Sequence, residues 1–233
     1  MSETYTLHVA GVTRELPICA INEHLSIAAF IMFSDVELTV ACAKALLEKC
    51  PEFDVIVTAE AKGIPLAYEM SRQSGKLYIP ARKGEKLYMQ NPVVVEDQSI
   101  TTSARQKLVI DHKDLEAMNG KRILIVDDVI STGGSLHALE TLVEKSTGTV
   151  VGRAAALAEG DAADRTDIIF LEKLPLFTHL SPHANETGTG SLLFCLVCRQ
   201  THRCVSAACG PWAARGSFCM HILVCVGPGK AKL

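Results

Sequence analysis

Two adjacent carboxylates, Asp127 and Asp128, follow the apolar run at residues 123–126 and precede Ser131, Thr132, Gly133, Gly134 and Ser135. The two halves of this string call for different ligands. Small residues let the backbone approach an anion, hydroxyls add donors, and a helix start adds unpaired N–H groups and a favourable dipole. Residues 131–135 therefore suit a monophosphate. Two carboxylates cannot comfortably face that same phosphate, so they must accept something else, and sugar hydroxyls fit. ILIVDDVISTGGS, residues 123–135, thus points to a ligand built on ribose 5-phosphate.

Other phosphate motifs are excluded by their own requirements. The Walker loop needs G-x-x-x-x-G-K-[ST] and the dinucleotide fingerprint needs G-x-G-x-x-G, and neither occurs in the chain. ILIVDD also opens phosphoacceptor receiver domains, but there it stands at the domain start with no phosphate cradle behind the acidic pair.

The surrounding text supplies elements to hold these residues. Alternation at 5–9 and 13–18 predicts a hairpin. Residues 26–33 are apolar throughout and read as a buried strand. Asp35 caps a helix to about residue 49, with Val36, Val40, Ala43 and Leu47 facing inward. A strand at 54–58 leads into a loop at 59–63, and Pro65 begins a helix that Gly75 ends. Residues 76–81 form another strand. The polar stretch 82–106 is long for a compact domain and reads as a flap of two extended arms, resuming as strand at 107–110. Strands at 122–126, 149–157 and 167–171, with a helix over 135–145, complete the pattern. Strands alternating with helices define an α/β fold, a parallel twisted sheet flanked by helices. Ligands bind such sheets beyond the carboxyl ends of the strands. The loops at 59–63 and 127–134 are therefore the ones to watch.

Composition is that of a globular protein: 48% hydrophobic and 21% charged over 233 residues, with a net charge of −3. Nothing in that charge argues for nucleic acid or an anionic membrane as partner. The first residues hold no apolar run flanked by basic ones, and no apolar stretch reaches membrane-spanning length, so a soluble cytoplasmic protein is expected. Six of the nine cysteines lie between Cys195 and Cys225. A chain-wide disulfide framework would not be distributed so. Residues 1–177 read as one domain and 178–233 as a Cys-rich extension, irregular or reflecting an altered reading of the gene's end. Cys195, Cys198, His202 and Cys204 have ligand types suited to zinc, but their spacing matches no established module and no function is assigned there.

VDDVISTGGS resembles the signature by which type I phosphoribosyltransferases bind phosphoribosyl pyrophosphate (PRPP). The resemblance extends to Glu60-Ala61-Lys62-Gly63, similar to the pyrophosphate loop of adenine phosphoribosyltransferases, with Lys62 where arginine is more usual. Ala81-Arg82-Lys83-Gly84-Glu85-Lys86-Leu87 resembles the opening of their flexible loop. ELPICAINEHLSIAAFIMFSDVEL and AEGDAADRTDIIFLEKLPLF look like a bacterial branch of the same family. It covers residues 4–177.

The resemblance implies transfer of a phosphoribosyl group from PRPP to a purine base, adenine preferred, in purine salvage. Xanthine, hypoxanthine or guanine is the runner-up base, and a PRPP-sensing regulator without turnover is the rival from another class. It further implies Asp127 and Asp128 on the ribose hydroxyls, directly or through Mg²⁺, and Ser131, Thr132, Gly133, Gly134 and Ser135 on the 5′-phosphate. Glu60, Ala61, Lys62, Gly63, Arg82, Lys83 and Lys86 are expected on the pyrophosphate side, with a homodimer in which flap residues serve in cis or in trans. The family's flexible loop carries a Tyr and a Glu linked to proton transfer, whereas Ser99 to Arg105 has neither. Glu159, at a strand end, is the candidate replacement.

Overall fold

A computed structural model of the chain describes residues 3–97 and 106–178, which fall within one compact unit. The Ser99 to Arg105 segment and the Cys-rich extension after Thr178 lie outside the described residues. In chain order the elements are β1 (Thr4–Val9), β2 (Val12–Asn22), β3 (Leu25–Ala28), α1 (Val36–Leu47), β4 (Val55–Ala59), α2 (Ile64–Ser74), β5 (Leu77–Ala81), β6 (Val93–Asp97), β7 (Gln106–Ile110), α3 (His112–Ala117), β8 (Arg122–Ile130), α4 (Gly134–Val143) and β9 (Thr149–Glu159). A 3₁₀ turn, Gly160–Asp164, leads to β10 (Ile169–Leu174) and β11 (Leu176–Thr178).

The central sheet has the order β10-β9-β8-β4-β5, and every pair in it is parallel. Its strands alternate between two cores, as a period of two requires. Val55, Val57, Ile123 and Ile125 pack with Leu115, Met118, Leu136 and Leu139 under α3 and α4. Ile56, Leu124 and Val126 pack with Leu38, Cys42, Leu46, Leu66 and Met70 under α1 and α2. From β4 the chain steps to β5 on one side, and from β8 to β9 on the other. β4 and β8, adjacent and oppositely wound, thus form the switch point where such sheets open a crevice.

A second, antiparallel sheet, β1-β2-β3-β11, forms from the two ends of the fold, with Leu176 opposite Ile27 and Phe177 opposite Ser26. The expected strand over 26–33 is therefore only four residues long and belongs to this sheet. Beyond Ala28 the backbone turns away, Ser34 takes a φ of 67°, and Phe30 and Met32 enter the core while Ile31 and Phe33 stay exposed. The flap is present as β6 paired antiparallel with β7.

The inner face of α1 differs from expectation. Ala43 is buried as expected, but Val36 is 73% and Val40 38% exposed, and Leu38, Cys42 and Leu46 are buried in their place. Asp35 sets the helix phase. Its carboxylate accepts the Leu38 N–H at 3.1 Å and is gripped by Arg14 through Nε at 2.6 Å and Nη2 at 2.9 Å. The sequence offers two apolar stripes of similar strength, and packing on α2 and β9 selects between them.

Candidate functional site

β8 runs four residues beyond the predicted end, because Val129 and Ile130 continue the ladder opposite Leu157 and Ala158. Asp127 and Asp128 are therefore strand residues with fixed backbones, and the loop proper begins at Ser131. Asp128 is 3% exposed. Its Oδ2 lies 2.9 Å from Lys62 Nζ, a charge contact, and has no oriented hydrogen-bond donor. The Asp128 N–H donates to Asp127 Oδ1 at 2.9 Å. Burial, and then the charge of Asp128 beside it, push the Asp127 carboxyl well above the usual carboxylate range.

Two cavities meet at this strand end. The smaller, about 130 Å³, is lined by Ser131, Thr132, Gly133, Gly134 and Ser135 with the neighbouring β8 residues. Gly133 caps α4 at a φ of 82°, a left-handed conformation that favours glycine, and no side chain caps the helix. The first N–H groups of α4 thus have no side-chain acceptor and lie at the wall of this cavity, as in anion cradles. The larger cavity, about 480 Å³, is lined on one side by Glu60, Ala61, Lys62 and Lys83 and on the other by Asp127, Asp128 and Ser135. Both cavities include Asp127, Val129 and Ser135 in their walls.

The loop after β4 docks tightly on β8. A Cβ on Gly63 would stand 2.5 Å from Thr58 Oγ1 and 2.9 Å from Asp127 Oδ1, so only glycine lets the start of α2 approach the acidic pair. The Glu60–Ala61 peptide is cis. Glu60 is turned from the cavity's cations toward the backbone: Oε2 accepts the Lys83 N–H at 2.9 Å and Oε1 lies 3.4 Å from Arg82 Nη2. That backbone donor, with the charges of Arg82, Lys86 and Lys83, holds its carboxyl below the ordinary range against a smaller opposing effect of burial.

Arg82 exchanges two backbone hydrogen bonds with Val109, 2.8 Å each, welding the start of the flap to its return strand. Its Nε is buried without a hydrogen-bond partner. Lys86 acts on Glu60 through its charge and lines neither cavity. Glu159 ends β9 outside both walls. Burial raises its carboxyl above the usual range, and the charge of Lys62 opposes this in part. Sequence reasoning passed over two neighbours of the site. Lys107, a single cation ahead of an apolar strand, lines the larger cavity. Thr58 places an unpaired hydroxyl under Gly63.

Among the described residues no group of three or more His, Cys, Asp or Glu side chains is placed to hold a metal ion. The adjacent carboxylates instead suit a Mg²⁺ carried in on phosphate oxygens, for which one or two protein carboxylates suffice. No helix among them is long and apolar enough to cross a membrane.

A helix-flanked parallel sheet with an acidic strand end between a small glycine- and hydroxyl-lined cavity and a larger one that carries lysines is an architecture suited to phosphoribosyl transfer. The phosphoribosyl transferase domain family matches residues 39–174, and the chain belongs to that family. It is 39% identical over 103 residues to the adenine phosphoribosyltransferase of Thermotoga sp. strain RQ2, covering 44% of this chain and 58% of that protein. It is 33% identical over 126 residues to the adenine phosphoribosyltransferase of Rhodococcus jostii RHA1, covering 54% of this chain and 69% of that protein. The fold is shared with the adenine phosphoribosyltransferase crystal structure from Leishmania tarentolae, at a TM-score of 0.50 and 22% identity over 60% of this chain and 71% of that one.

Proposed function

We propose that this chain transfers the 5-phosphoribosyl group of PRPP to a purine base, releasing pyrophosphate, with adenine as the preferred acceptor. One observation carries the reading: the phosphate-sized cavity and the larger cavity that holds Lys62 and Lys83 share the wall at Asp127 and Ser135. A ligand with a monophosphate at one end, a ribose in the middle and a pyrophosphate beyond would place each group against complementary chemistry. The curated relatives named adenine phosphoribosyltransferases support the base preference.

On this reading residues 131–135 anchor the 5′-phosphate, and that remote binding energy fixes the reacting carbon. Asp127 and Asp128 accept the ribose hydroxyls and set negative charge beside a sugar ring that becomes cationic as the C1–oxygen bond breaks. A purine ring nitrogen forms the new bond at C1 and the bond electrons leave with pyrophosphate. Lys62 and Lys83 face the leaving group, and Glu60 positions the Lys83 backbone and the Arg82 guanidinium. Mg²⁺ bound on the substrate's oxygens would neutralise pyrophosphate charge. Glu159, with its raised carboxyl, is the group available to take the proton lost by the base. The family's flap Tyr and Glu have no counterpart in Ser99 to Arg105, which keeps xanthine and hypoxanthine or guanine as the second reading. A homodimer completes the proposal.

The test is a panel of adenine, hypoxanthine, guanine, xanthine, uracil and orotate with PRPP and Mg²⁺, read as pyrophosphate release. Adenine should give the highest kcat/KM. Tight PRPP binding with no release on any base would replace the enzyme by a PRPP sensor. The double variant D127N/D128N should lose turnover by at least about 10²-fold, and wild-type rates from it would sink the site assignment.

A further inference from the structure

We propose that Lys107 is a further binding residue for the leaving pyrophosphate, a cation in the wall of the larger cavity; this rests on the function proposed above. Lys107 lines the 480 Å³ cavity together with Leu108, Lys62, Lys83 and the acidic pair. Its placement is that of a wall residue. The next three residues, Leu108, Val109 and Ile110, are 3%, 0% and 1% exposed, so the strand is anchored in the core directly behind the lysine. On one edge Lys107 lies opposite Glu96 in β6. On the other, the Arg82–Val109 bridge is antiparallel and held by two 2.8 Å bonds, which runs Lys83 and Gly84 alongside Leu108 and Lys107. Two lysines from adjacent chain segments thus reach one cavity.

Charge in the lining points the same way. Its cations are Lys62, Lys83 and Lys107, and its anions are Glu60, Asp127 and Asp128. Lys62 is engaged by Asp128 at 2.9 Å. Glu60 is committed to the Lys83 amide and to Arg82. Lys107 has only a loose pair with Glu85, 3.8 Å apart with both side chains about half exposed, a kind of contact worth little. Lys83 and Lys107 are therefore the cavity's cations without a close ion pair among the described residues. Pyrophosphate, with charge on two phosphorus centres, suits two cations on neighbouring segments of one wall, neither of which must leave a close ion pair to meet it.

The experiment is calorimetric titration of the full chain, wild type, K107M and K107R, with magnesium pyrophosphate and, separately, ribose 5-phosphate at fixed ionic strength. Methionine keeps the apolar stem and removes the charge. K107M should bind pyrophosphate about 10-fold more weakly and ribose 5-phosphate within about twofold of wild type, and K107R should recover most of the loss. Unchanged pyrophosphate affinity in K107M, or equal loss for both ligands, overturns the assignment. The failures are separable. If the wild-type chain releases pyrophosphate with a base yet K107M binds pyrophosphate normally, only the Lys107 assignment falls. If the wild type binds neither ligand, the proposed function falls with it.

Discussion

Gly63→Ala puts the docking of the β4 loop on β8 to a direct test. Gly63 has φ −71° and ψ −16°, a conformation open to any residue. Backbone strain therefore plays no part, and in open space alanine there would stabilise the chain by about 0.4–1 kcal/mol through its narrower unfolded ensemble. The space is not open. The added methyl would stand 2.5 Å from Thr58 Oγ1, 2.9 Å from Asp127 Oδ1 and 3.2 Å from Asp127 Cα. Two of these distances are shorter than a carbon–oxygen contact tolerates, and the third is backbone of a central strand. Overpacking of this kind costs about 1–3 kcal/mol, so the sign reverses and the net loss is about 1–2 kcal/mol. The assay is urea unfolding at pH 7 with a thermal melt beside it, and the melting temperature should drop by about 2–8 °C. Because the nearest atom is the Thr58 hydroxyl, Thr58→Ala in the same chain should restore part of the loss, and the non-additivity isolates that contact. A Gly63→Ala chain as stable as the wild type, or more so, would refute the close approach and with it the claim that glycine is required beside the acidic pair.

Asp127→Asn should stabilise the ligand-free chain increasingly as pH rises. Its carboxyl is held above the normal range, so the folded state binds the proton more tightly; that contribution is complete below about pH 4 and is lost as pH climbs through the raised value. Asparagine keeps the acceptor for the Asp128 N–H and carries no charge. The urea-unfolding free energies of variant and wild type should diverge between pH 4 and 8 by at least about 1.4 kcal/mol, and parallel curves would show no such perturbation. Asp35→Ala removes the α1 cap and the acceptor of Arg14 and should cost about 1–2 kcal/mol in urea unfolding. Asp35 is held below its ordinary value, chiefly by Arg14. Its contribution is therefore present above about pH 4 and fades as pH falls through the lowered value. A chain ending at Ser181 should keep the melting temperature and pyrophosphate release of the full chain, and loss of either would give residues 182–233 a part in the domain.

The small cavity at residues 131–135 was readable from sequence because its ingredients are local: small residues, hydroxyls and a helix start sit side by side. The parallel sheet was readable because its strands are short apolar runs between helices. What escaped depends on contacts between distant segments. Nothing near Lys107 marks it, since its relevance comes from a bridge joining residues 27 positions apart, Arg82 and Val109. The phase of α1 was misjudged because Val36 and Val40 match the helical period as well as Leu38 and Cys42 do, and packing on α2 and β9, with the grip of Arg14 on Asp35, breaks the tie. The run over 26–33 is apolar for two separate reasons, part pairing with β11 and part lining the core, which a window of hydropathy merges into one strand.

The contact between Lys62 and Asp128 bears on which ligands the site retains. In the empty protein the two groups are held in charge contact at 2.9 Å, so the pair is an internal competitor for the ligand. On the proposed chemistry, PRPP brings a sugar for the carboxylate and a diphosphate for the lysine, and compensates both when it parts them. Ribose 5-phosphate brings only the first and leaves the lysine without a replacement. Its observed affinity is then reduced by the fraction of molecules in which the pair is closed. The contact thereby acts as a filter against a ribose phosphate that carries no leaving group, and Lys62→Met should tighten ribose 5-phosphate binding while weakening that of PRPP.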